Sequence, residues 1–276
     1  MSGLPSGHGL RWSVSLRDAA TGAVLHEDGA DVLLPTASVG KVFALIDLAA
    51  RATAGELDLA EVADRRDSPR AADSGTWQHL RAARLALADV AALVGQTSDN
   101  WATNVLLDRL GLDSVRARAA TLVDGGSTLH DYVRDVRRPA DPPTLSSGCA
   151  DDWTSLLTRV ARGTCVNEGT SALVRGWLRL GTDLSMVASA FGLDPLSHVE
   201  ADLGTTLFHK TGTDVGVRAD VGVLGANSIG RGHREIAYAC LCVWEDDGSR
   251  EVRELVLRTM RGLGAQVLRT ATAPPT

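Results

Sequence analysis

The hydrophobic pattern of this chain changes its period twice, from two residues to about 3.6 and back to two, and that order limits the folds open to it. Residues 11–16 alternate, Asp18-Ala-Ala-Thr-Gly22 is a turn signal, and residues 23–26 are again extended, which predicts a hairpin. From Ser38 the apolar positions Val42, Leu45, Ile46 and 48–50 recur at helical spacing and fade near Gly55. Further helices are predicted over 85–94, 101–110, 114–122, 150–162 and 171–180. Past Thr205 the period returns to two, in stretches 205–213, 217–224 and 235–243 joined by Gly-rich turns. An amphipathic helix over about 249–263 then closes the chain. An α/β (α+β) fold satisfies this order: an antiparallel five-stranded sheet flanked by helices, with an all-helical subdomain inserted between strands two and three. The expected division is a sheet part of about 10–36 and 185–268, a helical insert of about 37–184, and a flexible tail at 269–276. There is no internal repeat and no linker between independent domains.

At 276 residues the chain can bury a full core without extra scaffolding. Its 44% hydrophobic and 22% charged residues are ordinary for a soluble globular protein. Apolar runs such as 86–94 are too short to span a bilayer, so no membrane association is expected. A net charge of -6 lacks the basic excess of a phosphate-binding surface, which argues against nucleic acid and leaves a small-molecule substrate. The four cysteines show no metal-type spacing, and Cys240 and Cys242 share one face of a predicted strand, as buried unpaired thiols would. None of the seven histidines falls in a His-x-His or His-Glu-x-x-His arrangement, so neither a metal nor another cofactor is expected. A monomer is the expected state. Residues 1–12 have no basic stretch followed by an apolar one, so the chain as it stands is expected in the cytoplasm, or outside it if a leader has been removed.

Only two lysines occur, Lys41 and Lys210, although Lys and Arg together number 28. A guanidinium keeps its proton at accessible pH whereas a desolvated ammonium can lose it, so a chain that otherwise uses Arg has reason to keep Lys where a proton must move. Lys41 stands three residues after Ser38 at the start of the first strong helix, on the same face, where its amine can reach the hydroxyl. The helix N-terminus also favours negative charge developing at Ser38. Taken singly, Ser-x-x-Lys is what a capped helix looks like, Ser98-Asp-Asn100 reads as a loop and N-cap before the helix at Trp101, and Lys210-Thr-Gly212 reads as a strand ending in a turn. In this order, with both lysines inside them, the three point to a serine nucleophile with a lysine base.

With these motifs the sequence resembles the class A β-lactamase-like serine hydrolases of the penicillin-recognising group, over about residues 11–267. The likeness includes Leu34-Pro-Thr-Ala-Ser38, Thr97-Ser-Asp-Asn-Trp-Ala-Thr-Asn104 running into Leu106-Leu-Asp-Arg-Leu-Gly111, and Gly216-Val-Arg-Ala-Asp-Val-Gly222. It implies the same sheet-plus-insert fold, with the active site at the seam. By resemblance, Ser38 is the nucleophile and Lys41, its pKa lowered by burial and by Lys210, takes the proton. Ser98 passes a proton to the leaving amide nitrogen, Asn100 hydrogen-bonds the substrate amide, and Lys210 holds Ser98 and a substrate carboxylate. The backbone N–H groups of Ser38 and Thr213 form the oxyanion hole. Thr211, Gly212 and Thr213 line the carboxylate site with Arg218, which reads equally as an exposed strand arginine.

The same resemblance exposes a departure. Class A enzymes carry a Glu-x-x-Leu-Asn loop whose Glu activates the deacylating water, yet there is no Glu between Glu61 and Glu168. The corresponding stretch, 130–138, offers Asp131 or Asp135 as replacement bases. The expectation is therefore a serine hydrolase acting through acyl-Ser38 on a β-lactam or related amide or ester, with slow deacylation. The alternatives are a penicillin-binding or sensing protein that stays acylated, and an intracellular acyltransferase or esterase on the same scaffold.

Overall fold

A computed structural model describes residues 3–202, 204–228 and 232–273. In chain order the elements are β1 (Arg11–Asp18), β2 (Val24–Asp28), β3 (Leu34–Pro35), a 3-10 turn (Ala37–Gly40), α1 (Lys41–Thr53), β4 (Val62–Asp64), β5 (Arg84–Ala86), α2 (Leu87–Thr97) and α3 (Asn100–Leu110). There follow α4 (Leu112–Ala120), β6 (Thr128–Leu129), β7 (Ser146–Gly148), α5 (Ala150–Ala161), α6 (Glu168–Leu178), a 3-10 turn (Val187–Ala190), β8 (Thr205–Asp214), β9 (Val217–Ser228), β10 (Gly232–Val243) and α7 (Arg250–Thr272). The main sheet has the order β2-β1-β10-β9-β8, and every neighbouring pair is antiparallel. The hairpin and the three late strands thus join as the change of period implied.

Strand alternation divides the sheet between two cores. Trp12, Val14, Leu16, Leu224, Ile236, Tyr238, Cys240 and Cys242 pack on one face with Val252, Val256, Met260, Leu263 and Val267 of α7. Ala219, Val221, Val223, Ala237, Ala239 and Leu241 share the other core with α1 and α5. Ser13 and Ser15 of β1 also face α5 and are fully buried, and both are satisfied there: Ala150 N donates to Ser13 Oγ at 2.9 Å and Ser15 Oγ meets Thr154 Oγ1 at 3.0 Å. Helix α1 is buried all round from Lys41 to Ala50, the mark of a central helix, and each of Leu45, Ile46 and Leu48 contributes about 1.5–3 kcal/mol by burial. All four cysteines are free and buried.

Two expectations need correction. The insert is not all-helical: β4 pairs with β5, and β6 and β7 form a small sheet with β3, which just precedes the insert. Strands of two or three residues are too short to print a period on the sequence. Of the expected flexible tail, residues 269–272 continue α7, because Met260, Leu263, Val267 and Ala271 carry the buried stripe on at helical spacing. Residues 274–276 lie outside the described residues. Among the described residues no helix is long and apolar enough to cross a membrane.

Candidate active site

Ser38 lies half-buried in the 3-10 turn between β3 and α1, one turn ahead of Lys41. Ala37 before it has φ 47°, a left-handed conformation that costs a non-glycine residue of order 1 kcal/mol. The turn is held from outside: Thr36 N donates to Ser146 O at 3.0 Å, and Ser146 Oγ donates to Ala37 O at 2.6 Å. Strain retained next to Ser38 and fixed by β7 sets the path of the Ser38 backbone into the cleft.

Because α1 is central, its first residue is fully buried. Lys41 Nζ donates to Ser98 O at 2.7 Å, to Asn100 Oδ1 at 2.7 Å and to Ser98 Oγ at 3.2 Å. Burial, and then the charge of Lys210, push its pKa well below that of free lysine, against smaller pulls from Asp99 and Asp73. A neutral amine has two N–H donors and a lone pair. In the charged form all three contacts are donations; in the neutral form Ser98 O and Asn100 Oδ1, which accept only, would take both donors and the contact with Ser98 Oγ would face the lone pair. Among the described residues the Ser38 hydroxyl makes no hydrogen bond, so the contact with Lys41 foreseen from the i,i+3 spacing is not made in this state; Ser98 and Asn100 occupy the amine instead.

The Ser-Asp-Asn triplet divides its work. Ser98 ends α2 as a left-handed cap with φ 55°. Asp99 caps α3, accepting from Ala102 N at 2.9 Å, and also from Trp77 N at 2.7 Å. Asn100 opens α3 and is committed at both ends: Oδ1 accepts from Lys41, and Nδ2 donates to Ala72 O at 2.7 Å. In this structure both ends of its amide are taken up by the protein, one of them by Lys41, and neither is offered to a substrate.

Lys210 on β8 is buried and donates to Thr211 O at 2.8 Å. Burial lowers its pKa to about 8, despite the opposing carboxylates Asp183 and Asp220. No hydrogen bond joins it to Ser98 among the described residues. Beyond it, a Cβ on Gly212 would lie 2.1 Å from Thr36 O and 3.1 Å from Ser38 N. Only glycine lets β8 run this close to the turn that carries Ser38, and the approach brings the Thr213 end of the strand up to the Ser38 amide. Ser38, Ser98, Asn100, Lys210, Thr211 and Thr213 line one cleft of about 810 Å³, with Lys41 buried beneath it.

Of three further sequence-based candidates, Arg218 and Asp131 are taken up elsewhere and Asp135 lines the cleft. Arg218, opposite Thr213 on β9, does not line the cleft: its Nη1 donates to Asp214 O at 3.0 Å and Val217 O at 2.7 Å, and the guanidinium stacks 5.6 Å from the Trp244 ring. Those carbonyls and the ring capture it. Asp131 is buried and locked, accepting from Arg134 Nε at 2.6 Å, Arg137 Nη1 at 3.0 Å and Tyr132 N at 2.8 Å. Burial raises its pKa, but the bonds from Arg134 and the Tyr132 amide outweigh that and hold it below the usual carboxylate range, so it is a structural anchor and a poor base. Asp135 is exposed, lines the cleft, and accepts from Ala72 N at 2.7 Å.

One residue absent from the sequence-based set also contributes. Asn104, one helical turn beyond Asn100, donates from Nδ2 to Pro69 O at 3.0 Å and Val133 O at 2.9 Å, and its Oδ1 accepts from Val133 N at 2.8 Å. The i,i+4 spacing of two asparagines on a helix is the signal in the sequence. Among the described residues no cluster of His, Cys, Asp or Glu is suited to hold a metal ion.

Known proteins share this architecture. A β-lactamase from Sphaerobacter thermophilus superposes with a TM-score of 0.78 at 22% identity, covering 98% of this chain and 94% of that one. A class A β-lactamase from Mycobacterium abscessus gives 0.72 at 20% identity, over 95% and 94% of the two chains. A mutant of PBP-A, solved as an acyl-enzyme complex with penicillin G, gives 0.73 at 21% identity, over 95% and 91%. No curated protein matches the sequence significantly. At these identities the structures establish the fold alone; the sequence model of the Beta-lactamase enzyme family, however, matches residues 3–231, most of the chain, and with the serine and lysine constellation just described the protein belongs to that family of serine hydrolases.

Proposed function

We propose that the protein is acylated at Ser38 by a β-lactam or a related amide or ester, and that the acyl-enzyme is then hydrolysed slowly. The observation that carries this reading is the fully buried Lys41 amine, held by Ser98 and Asn100 one turn from Ser38. Ser38 Oγ attacks the carbonyl and its proton passes to neutral Lys41, while the Ser38 and Thr213 N–H groups receive the developing oxyanion. Ser98 hands its hydroxyl proton to the leaving nitrogen as the C–N bond breaks and takes one in turn from Lys41, which returns to its neutral form. The charge of Lys210 and the hydroxyls of Thr211 and Thr213 hold a substrate carboxylate, without Arg218. Every group in the scheme comes from one chain, in keeping with a monomer.

Slow hydrolysis follows from the 131–138 loop. Asp131 is consumed by two arginines, and Val133, pinned to Asn104, lines the cleft with an apolar side chain. A general base contributes roughly 100- to 10,000-fold, so its loss makes deacylation rate-limiting. The same loop favours the second reading, a penicillin-binding protein that stays acylated, and the fold shared with the PBP-A acyl-enzyme is compatible with it. Mixing the protein with benzylpenicillin and following its intact mass over time tests the proposal. One long-lived adduct is expected on the wild type and none on Ser38→Ala. An adduct on Ser38→Ala, or none on the wild type with either penicillin or an activated ester, would overturn it. Faster loss of the adduct on adding an amine or alcohol would identify an acyltransferase.

A further inference from the structure

Four hydrogen-bonding groups stand in series between the loop and the base. Asp135 Oδ1 accepts from Ala72 N at 2.7 Å. The carbonyl of the same Ala72 accepts from Asn100 Nδ2 at 2.7 Å. The other end of that amide, Oδ1, accepts from Lys41 Nζ at 2.7 Å. The chain runs from an exposed cleft-lining carboxylate to a fully buried amine in three short bonds.

From this series we infer that Asp135 is a positioning residue for the Lys41 base, acting through Ala72 and Asn100, and not the base of deacylation. The inference rests on Lys41 being the base of the proposed acylation.

The Asn100 amide explains why positioning matters. Its two ends differ by a rotation, and only one end accepts. A carbonyl can only accept, so Ala72 O must meet Nδ2, which turns Oδ1 toward Lys41. Were Ala72 to shift, the amide could turn its NH₂ toward the amine and leave Lys41 facing a donor.

The segment carrying Ala72 is held by bonds spread along it: Ser74 Oγ donates to Thr97 O at 2.9 Å, Ser74 O accepts from Asn100 N at 3.0 Å, and Gln78 Nε2 donates to Gly75 O at 3.2 Å. Residues 69–75 contain no helix or strand, and Asp73, next to Ala72, sits at φ 66°. Such a non-glycine conformation persists only where the surroundings over-determine it. Asn104 ties this segment at Pro69 and the loop at Val133 to the same face of α3. Asp135 adds a direct link from the loop to the segment at Ala72 itself, and a charged acceptor makes it about twice as strong as a neutral one. Asp131, clamped by Arg134 and Arg137, keeps the loop that presents Asp135 in shape.

The two roles differ in their response to Asp135→Asn. An asparagine still accepts from Ala72 N through its own Oδ1, but it cannot take a proton. For a positioning residue, Asp135→Ala should slow acylation roughly tenfold, less than a 1 Å misplacement can cost, with Asp135→Asn near wild type and deacylation unchanged in both. A base of deacylation would instead lose deacylation equally in both variants and keep acylation.

The two lysines give a second readout that needs no substrate. Lysine labelled with ¹³C at Cε yields two side-chain signals, which Lys41→Arg assigns. Asp135→Ala should move the Lys41 signal and its titration while leaving Lys210 in place, and Asp135→Asn should restore the wild-type signal. Loss of a purely structural loop contact would lower thermal stability without this pattern. An unmoved Lys41 signal in a folded Asp135→Ala protein, or an Asp135→Asn variant as impaired as the alanine, overturns the inference. Absence of any adduct on the wild type would sink the acylation reading alone, since the lysine spectrum still decides this one.

Discussion

Replacing Gly212 by alanine perturbs the contact on which the oxyanion site depends. The new Cβ would lie 2.1 Å from Thr36 O, and merely reaching 3.0 Å, below which Cβ atoms are essentially never found, requires about 0.9 Å of movement. Thr36 cannot yield cheaply: its carbonyl accepts from Val39 N at 3.1 Å, its amide donates to Ser146 O at 3.0 Å, and its hydroxyl meets Ser146 Oγ at 2.7 Å. The edge strand β8 must therefore withdraw, carrying the Thr213 amide away from Ser38. Misplacement by about 1 Å can cost 100-fold, and loss of one oxyanion donor costs about 100- to 1,000-fold, so acylation by a chromogenic β-lactam should fall about 100-fold. Stopped-flow measurement of the acylation phase, with thermal unfolding in parallel, separates this from general damage. A Gly212→Ala protein acylating within about threefold of wild type, as read from its rate ratio, would refute the close approach as the reason for glycine here.

Lys41→Arg keeps a positive charge but cannot act as a base, so acylation should fall by roughly 100-fold or more, measured as the rate of Ser38 adduct formation. The acylation rate with an anionic substrate should rise with pH as Lys41, its pKa depressed by burial and by Lys210, loses its proton, and then fall above about pH 8 as Lys210 becomes neutral; rates across that range check both limbs. Val133→Glu, which sets a carboxylate on the loop position pinned to Asn104 and lining the cleft, should shorten the acyl-enzyme lifetime by about tenfold or more, seen as steady turnover replacing a burst.

The parts of this molecule that a sequence displays are those with a period or a rare residue. Strands β1, β8, β9 and β10 and the helices that bury a stripe repeat their apolar positions often enough to be read, whereas the mostly exposed β2 is marked by the turn before it, and α1 is so apolar that burial of its first residue follows. Lys41 and Lys210 stand out because, histidines aside, every other basic side chain is arginine, and the structure buries both, with Ser98 and Asn100 bonded to Lys41 and the charge of Lys210 acting on it. Short strands such as β3 and β7 leave no such trace, although they fix the strained Ala37 turn that presents Ser38.

The loop shows the opposite limit. In Asp131-Tyr-Val-Arg-Asp-Val-Arg-Arg138 both carboxylates lie within a few residues of the same arginines, so spacing alone does not assign partners. What assigns them is the path of the backbone, and that path is set by residues far away in sequence. Asn104 holds Val133 by both its N–H and its carbonyl. On either side of that anchor, Asp131 falls inward, where it is buried and takes both Arg134 and Arg137, while Asp135 falls outward over the cleft, where the Ala72 amide is its partner. Arg218 fails for a related reason: alternation puts it on the face of Thr213, but Trp244, beyond the end of the neighbouring strand, decides where its guanidinium rests. Residue type and local period therefore identify which side chains are chemically able to serve. Which of them reaches the cleft depends on tertiary anchors that no short window contains.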